Sequence, residues 1–506
     1  MTTSAAPAVV NRGLITLTMM LASGMYALDW TIAAVALPHM QGTFSTTQDQ
    51  ISWVLTSYIV MSAIMLPTTG WLSRRLGRKR LFLLSVGGFT LFSLACGSAN
   101  SLGAEVIFRI GQGLSGAYLL PLSQSIMLDT YPKEEHSKAM VIWGVGVMLG
   151  PIIGPTVGGY LTEASTWRWV FYINIPAGLI ALSAGWVCLP KQPADTGVRW
   201  FDWFGFAALG VAIGALQMML DRGQRLDWFQ SLEIIVEATL VGLGLYVFLV
   251  HSLTTARPLV SLRMFQDRNF ALGSIVIFLY GLLTLAPIVL MPPFLQDLRD
   301  YPITMVGLLL APRGLGLMAS MIVLGRIGPR IDPRLPVGLG FAMLALSSWM
   351  MTGWNLEVGT WDITWTGTLQ GLGAGAIYVP MATLTFSTLD PAYRTEAASV
   401  WNLIRSIGSS MGISISLVIL VRMSTISRAD LIGHVTPFNE VLGFYGLAGR
   451  LNALNMPQVG RLDAEIMRQA MMVGYLDVFF VAAVGSALAV PLVLLLRLPR
   501  VEIQAT

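Results

Sequence analysis

A chain of 506 residues that is 55% hydrophobic and only 11% charged carries less than half the charge of an average soluble domain, about 25%, and reads as a polytopic membrane protein. The net charge of +4 is too small to point to nucleic acid, and none of the four lysines (Lys79, Lys133, Lys138, Lys191) follows a glycine, so the sequence holds no phosphate-binding loop for ATP. Cys96 and Cys188 both lie in apolar helical runs, which argues against a disulfide or a metal site.

Fourteen stretches are long enough to span a bilayer: about 14–38, 50–73, 80–98, 103–127, 138–162, 168–190, 202–220, 230–251, 270–294, 303–324, 335–352, 361–387, 397–422 and 470–496. No small-residue cleavage site follows the first, which is therefore expected to be retained. With the N-terminus inside, the connecting segments place nineteen Lys and Arg inside against seven outside, and all four lysines fall inside. The positive-inside rule then puts both termini in the cytoplasm. Gln112-Gly113 recurs as Gln370-Gly371, and Gly150 and Gly154 recur as Gly408 and Gly412, each at an offset of 258. This repeat predicts two six-helix halves, 1–190 and 261–506, with helices seven and eight inserted at 191–260.

In helix one, Leu28-Asp29-Trp30 puts a carboxylate inside an apolar span. A charged Asp near mid-bilayer costs about 2.5–3.5 kcal/mol, so it must be protonated, paired or turned to a cavity. A structural hydrogen-bonded residue and a proton carrier both fit. After helix two comes a basic loop framed by Gly70 and Gly77 and containing Arg74, Arg75 and Arg78. In helix four, Glu105, Arg109 and Gln112 are spaced i, i+4 and i+7 and share one face. An Arg buried in a span needs a partner, which Glu105 one turn away or Asp29 could be. Helix five carries Gly146, Gly150, Gly154 and Gly158, then Gly159. The four-residue spacing bares one helix face over roughly 18 Å, so another helix can approach closely. Pro151 and Pro155 interrupt its hydrogen-bond ladder.

Trp167 to Pro176 then reads as an interfacial aromatic belt with Arg168 as its anchor. In the second half, Arg313 lies inside helix ten, with Asn402 and Arg405 in helix thirteen, while the position aligned with Arg109 is Gly367. Arg313 and Arg405 are placed to attract anionic groups or counter-carboxylates. Candidate walls of a central substrate cavity are Trp30, Tyr58, Gln112, Tyr118 and Gln124 from the first half, and Arg313, Tyr378, Asn402 and Arg405 from the second. The 27 methionines and 15 tryptophans suit an apolar pocket that repacks around varied ligands. The one long hydrophilic connection, about 423–469, is placed outside and becomes helical from Arg461 to Met472, and Asp477 beyond it reads as structural.

Several of these stretches resemble motifs of one family. The glycine stripe resembles the fifth-helix antiporter motif of major facilitator superfamily drug:proton antiporters. Leu28 to Pro38 resembles the first-helix motif of their fourteen-helix branch, Gly70 to Arg80 the superfamily's loop motif, and Arg109-Ile-Gly-Gln112-Gly113 its fourth-helix motif. The flanks of helix seven and the start of helix fourteen are similar to those of EmrB-like multidrug exporters. The resemblance covers about residues 14–496 and implies an all-α major facilitator fold. It further implies proton-driven export of hydrophobic or amphipathic toxic compounds by alternating access. On that reading Arg109, with Asp29 and Glu105, handles the coupling proton, and no cofactor beyond protons and no metal is needed. The implied location is a bacterial inner membrane, with a periplasmic membrane-fusion adaptor and an outer-membrane channel as partners; the long outer loop is the segment with enough surface for the adaptor. Two departures stand out: Ala34 replaces a usual Asn, and Arg74 occupies the loop motif's acidic position. Export of one specific metabolite or lipid-like compound uses the same architecture. A membrane-embedded enzyme fits poorly, because the four histidines are scattered, and a receptor would not need a two-half repeat with buried carboxylates in one half.

Overall fold

The structure is a computed structural model that describes residues 11–132, 135–190, 200–327, 331–390, 393–435 and 456–496, all helix or short connection without strand. The helices are α1 (Arg12–Phe44), α2 (Trp53–Leu76), α3 (Arg78–Gly97), α4 (102–130), α5 (His136–Ala164), α6 (Trp169–Cys188) and α7 (Trp203–Arg222). They continue as α8 (Leu232–Thr254), α9 (Arg268–Leu298), α10 (Ile303–Ile327), α11 (Arg334–Met351), α12 (Thr360–Ser387), α13 (Arg394–His434) and α14 (Met456–Val493). Side-chain caps define several starts: Asn11 accepts from the Leu14 amide at 3.2 Å, and Asp267 from that of Phe270 at 2.8 Å.

Twelve of these helices are long and apolar enough to cross a membrane. The other two, α4 and α12, are of spanning length but carry buried polar side chains: Glu105, Arg109, Gln112, Ser123, Gln124 and Ser125 on α4, and Thr366, Gln370 and Thr385 on α12. In addition, α4 is broken by a turn at 117–118 into Leu102–Gly116 and Leu119–Thr130. Polarity turned inward, away from lipid, is what lowers their hydropathy.

Close packing explains the glycines. On α5 a Cβ at Gly146, Gly150, Gly154 or Gly158 would come within 3.0 Å of atoms of α1, from Met20 to Ile32, and a Cβ at Gly24 of α1 would meet the Gly146 carbonyl at 2.8 Å. Gly159, one residue off the stripe, faces open space. Despite Pro151 and Pro155, α5 runs as one helix. Gly408 and Gly412 of α13 repeat the device, since side chains there would strike the Phe278 and Leu282 carbonyls of α9.

Helices α1 to α6 pack on one another, and so do α9 to α14; α5 lies against α10, and the ends of α2 and α4 lie against the start of α13. Helix α7 packs on α2 and α13, with α8 outside it on α7. Asp202 holds this pair at one end: it caps the Gly205 amide (2.8 Å), accepts from the Leu259 amide (3.0 Å) and bonds His251 Nε2 (2.8 Å).

The long connection expected outside is shorter than its polarity implied. Residues 423–434 continue α13 and 456–469 belong to α14, joined by an Arg428–Asp463 ion pair at 2.6 Å. At 41 residues, α13 is about 60 Å long, twice the ~30 Å hydrocarbon core. The part of the expected loop at 436–455 lies outside the described residues, as do Lys133, Lys191, Arg199, Arg330, Arg450, Arg497 and Arg500 from the charge count.

Gly150→Leu and Gly154→Leu should each destabilise the folded protein by about 1–3 kcal/mol or more through overpacking against α1, lowering its thermal unfolding temperature in detergent. Gly159→Ala should leave that temperature unchanged. Equal tolerance at all three positions would contradict the packing.

Candidate functional site

The site is built from α1, α4 and α6. Asp29 on α1 and Arg109 on α4 are both fully buried, and Nη1 of Arg109 lies 2.6 Å from Asp29 Oδ2. The same Nη1 donates to Gln112 Oε1 at 2.7 Å, while Gln112 Nε2 donates to Asp29 Oδ1 at 2.8 Å. Asn174 on α6 donates to that same oxygen at 2.8 Å and to Ser93 Oγ at 3.0 Å. Arg109 Nε donates to the Val54 carbonyl of α2 at 2.9 Å, and its guanidinium lies 4.2 Å from the centre of the Tyr58 ring. Spacing on one helix face is why Arg109 and Gln112 can close this ring of bonds on a single carboxylate.

Of the two partners open to Arg109, the geometry brings Asp29 to it. Glu105, one turn away on α4, is also fully buried, yet neither of its carboxyl oxygens has a hydrogen-bond partner among the described residues, and the same is true of Arg109 Nη2. Asn174 is a member that the sequence did not mark. Its polar side chain is hidden within an aromatic belt, where the neighbouring Trp-Arg-Trp anchor is the stronger signal and points to the interface.

The candidate cavity residues fall into three groups. Tyr58 and Gln112 belong to the ion-pair cluster, and half-buried Trp30 follows Asp29 on α1. Gln124 and Asn402 meet across the two helix groups, Nδ2 of Asn402 donating to Oε1 of Gln124 at 3.1 Å; Tyr118 accepts from Thr68 at 3.3 Å. Tyr378 stacks near Trp143 (6.3 Å between centres) and lies close to Tyr280 (5.7 Å) and Trp401 (5.6 Å). Arg313 and Arg405 are half-buried at mid-helix. Trp143, Tyr280 and Trp401 were not foreseen, since an aromatic residue in an apolar helix has no sequence mark separating cavity wall from filler.

The loop-motif residues tie the two helix groups together where α2 ends. Arg74 pairs at 3.2 Å with Glu396 at the start of α13, and Glu396 also accepts from the Ser261 amide at 2.6 Å. Gly70 is required there, since a Cβ would lie 2.9 Å from that of Glu396. Gly77 has φ 79°, in the left-handed region. Asp129 of α4 pairs with Arg78 and, at 3.1 Å, with Arg394 of α13. Arg75 lies 5.3 Å from the Trp71 ring centre. With Arg at the usually acidic position, the acid of the contact sits on α13 instead.

A family model described as the Major Facilitator Superfamily matches residues 19–413. The chain is 33% identical over 474 residues to the multidrug export protein EmrB of Haemophilus influenzae, covering 93% of each chain. It is 32% identical over 488 residues to the fatty acid resistance protein FarB of Neisseria gonorrhoeae, covering 96% of each. Among solved structures it is similar to a bacterial homolog of the human lysosomal transporter Spinster in an inward-facing, unoccupied conformation, with TM-score 0.56, 20% identity, and coverage of 98% of this chain and 100% of that one. At that identity the likeness shows the fold alone.

Removing one member of the sealed pair leaves the other as an uncompensated buried charge, at a cost of about 3–5 kcal/mol. Arg109→Ala should therefore lower thermal stability in detergent more than the double variant Asp29→Asn/Arg109→Gln does. The opposite order would show that the two side chains are not energetically coupled.

Proposed function

Because the chain belongs to the major facilitator superfamily, we propose that it is a proton-coupled antiporter that exports hydrophobic or amphipathic toxic compounds by alternating access. The observation that carries this reading is the fully buried Asp29–Arg109 pair, a carboxylate whose charge is balanced by one partner from another helix. A proton arriving from outside neutralises Asp29, removes the attraction that holds Arg109 and frees α4 relative to α1. Gln112 and Asn174 keep the carboxyl in place through the exchange, and Glu105, without a hydrogen-bond partner of its own among the described residues, takes or passes the same proton. The proton gradient is sufficient: about 2.3 kcal/mol per charge per 100 mV, plus about 1.4 kcal/mol per tenfold concentration ratio. Protons are the only coupling species required, and no catalytic or metal chemistry is involved.

Residues 1–190 and 261–506 are the two bodies that rock, with 191–260 inserted, and all fourteen helices span. Both termini and the α2–α3 loop face the cytoplasm of a bacterial inner membrane. The Arg74–Glu396 and Asp129–Arg394 pairs then close the cytoplasmic end and must part for substrate to enter from that side. Outside, the extensions of α13 and α14 form a stalk that receives a periplasmic adaptor, which in turn reaches an outer-membrane channel. Multidrug export is supported by the relative named EmrB. A narrower exporter of one lipid-like class is the second reading, favoured by the relative named for fatty acid resistance.

In proteoliposomes with an imposed pH gradient, Asp29→Asn should abolish uphill transport while substrate still binds, and binding should lose its pH dependence. Wild-type export by Asp29→Asn would move the carrier role to Glu105 or another acid. In cells, replacing the stalk, residues 429–462, by a short linker should abolish resistance and adaptor crosslinking while leaving substrate binding in detergent intact. An adaptor that still crosslinks to the shortened protein would place the contact elsewhere.

A further inference from the structure

Two arginines within the apolar runs of the second half, Arg313 and Arg405, have no carboxylate partner among the described residues. Arg313 on α10 and Arg405 on α13 occur in none of the ion pairs among the described residues. Within the same residues the Arg313 side chain makes one hydrogen bond, from Nη2 to the Thr284 carbonyl at 2.8 Å. The Arg405 side chain makes none there, and its Nε is buried without a partner. A guanidinium within a span is expensive unless something negative meets it, and Asp29 is already taken by Arg109.

Both are held in place by their backbones. A Cβ at Gly281 of α9 would collide with the Arg405 carbonyl, and one at Gly371 of α12 with that of Arg313. The two contacts to α9, at Gly281 and Thr284, fall within one helical turn, so both arginines flank the same stretch of that helix. Tyr280 lies on this turn, its ring centre 5.7 Å from that of Tyr378 on α12. Tyr378 carries Trp143 and Trp401 beside it. Both residues are half-buried, and guanidinium N–H groups of each lack a protein partner among the described residues.

We propose that Arg313 and Arg405 form an anion-binding site, and that the preferred cargo is an acidic amphipath whose carboxylate or similar head group bonds these arginines while its apolar body lies on the aromatic residues around Tyr378. The proposal rests on the transporter reading and narrows its substrate class. A bound carboxylate accepts charge-assisted hydrogen bonds from the planar guanidinium donors and supplies the counter-charge that the fold omits. A cationic amphipath of the same shape meets two like charges instead.

The test measures binding of decanoate, decanol and decyltrimethylammonium to the full-length protein in detergent at neutral pH, where decanoate is ionised. Decanoate should bind tightest to the wild type, an ordering that needs no variant. Arg405→Gln and Arg313→Gln should each weaken decanoate about tenfold or more, the loss of a charge-assisted hydrogen bond, and leave decyltrimethylammonium unchanged or tighter. Arg405→Lys, which keeps the charge, should retain most of the affinity. Tighter binding of decyltrimethylammonium to the wild type overturns the proposal, as does unchanged decanoate binding in both glutamine variants. Should decanoate bind as described yet never move against its gradient in proteoliposomes, the transporter reading fails while the anion site stands. Uphill transport of neutral or cationic compounds only, without decanoate binding, removes the anion site and leaves the transporter reading standing.

Discussion

The ion pair between Asp29 and Arg109 sits where water cannot reach either side chain, and much of the surrounding architecture follows from the cost of keeping it there. Desolvating two charges exceeds what their attraction returns unless further hydrogen bonds complete the shell. Gln112, Asn174 and the Val54 carbonyl supply those bonds, which draws α2 and α6 to the same point as α1 and α4. The broken, polar α4 is the consequence: a helix that carries this cluster cannot also be uniformly apolar. Packing beside it is correspondingly tight. Four glycines of α5 bring its backbone onto α1 next to Asp29.

The second half keeps the packing device and discards the chemistry. Gly408 and Gly412 seat α13 on α9 as Gly150 and Gly154 seat α5 on α1, yet the residue aligned with Arg109 is Gly367, where an added side chain would meet only Arg313 Cβ at 3.8 Å. The halves are therefore asymmetric: the buried Asp29–Arg109 pair is in the first, and two arginines lacking acidic partners among the described residues are in the second. Tyr58, which packs on Arg109, has Tyr26 of α1 beside it at 5.9 Å between ring centres.

Features governed by local period or composition were readable from sequence. The glycine stripe, the shared face of Arg109 and Gln112 and the approximate positions of the helices all follow from spacing and apolar length. Long-range pairing was not readable. Glu396 and Asp129 looked like ordinary helix-end acids, yet they receive Arg74, Arg78 and Arg394 across the bundle. Asn174 was masked by its aromatic neighbours. The helix from Arg461 onward was readable, whereas the helical extensions at 423–434 and 456–460 were read as loop because their polarity reflects exposure beyond the apolar runs, and polarity alone does not distinguish an exposed helix from a loop.

The central claim of the proposed mechanism is that protonation of Asp29 and binding of the exported molecule are linked. The most direct measurement is proton release on substrate addition to the purified protein in weakly buffered detergent solution, followed with a pH indicator. The wild type should release protons on binding, and Asp29→Asn should release none while still binding. Undiminished release from Asp29→Asn would contradict the account.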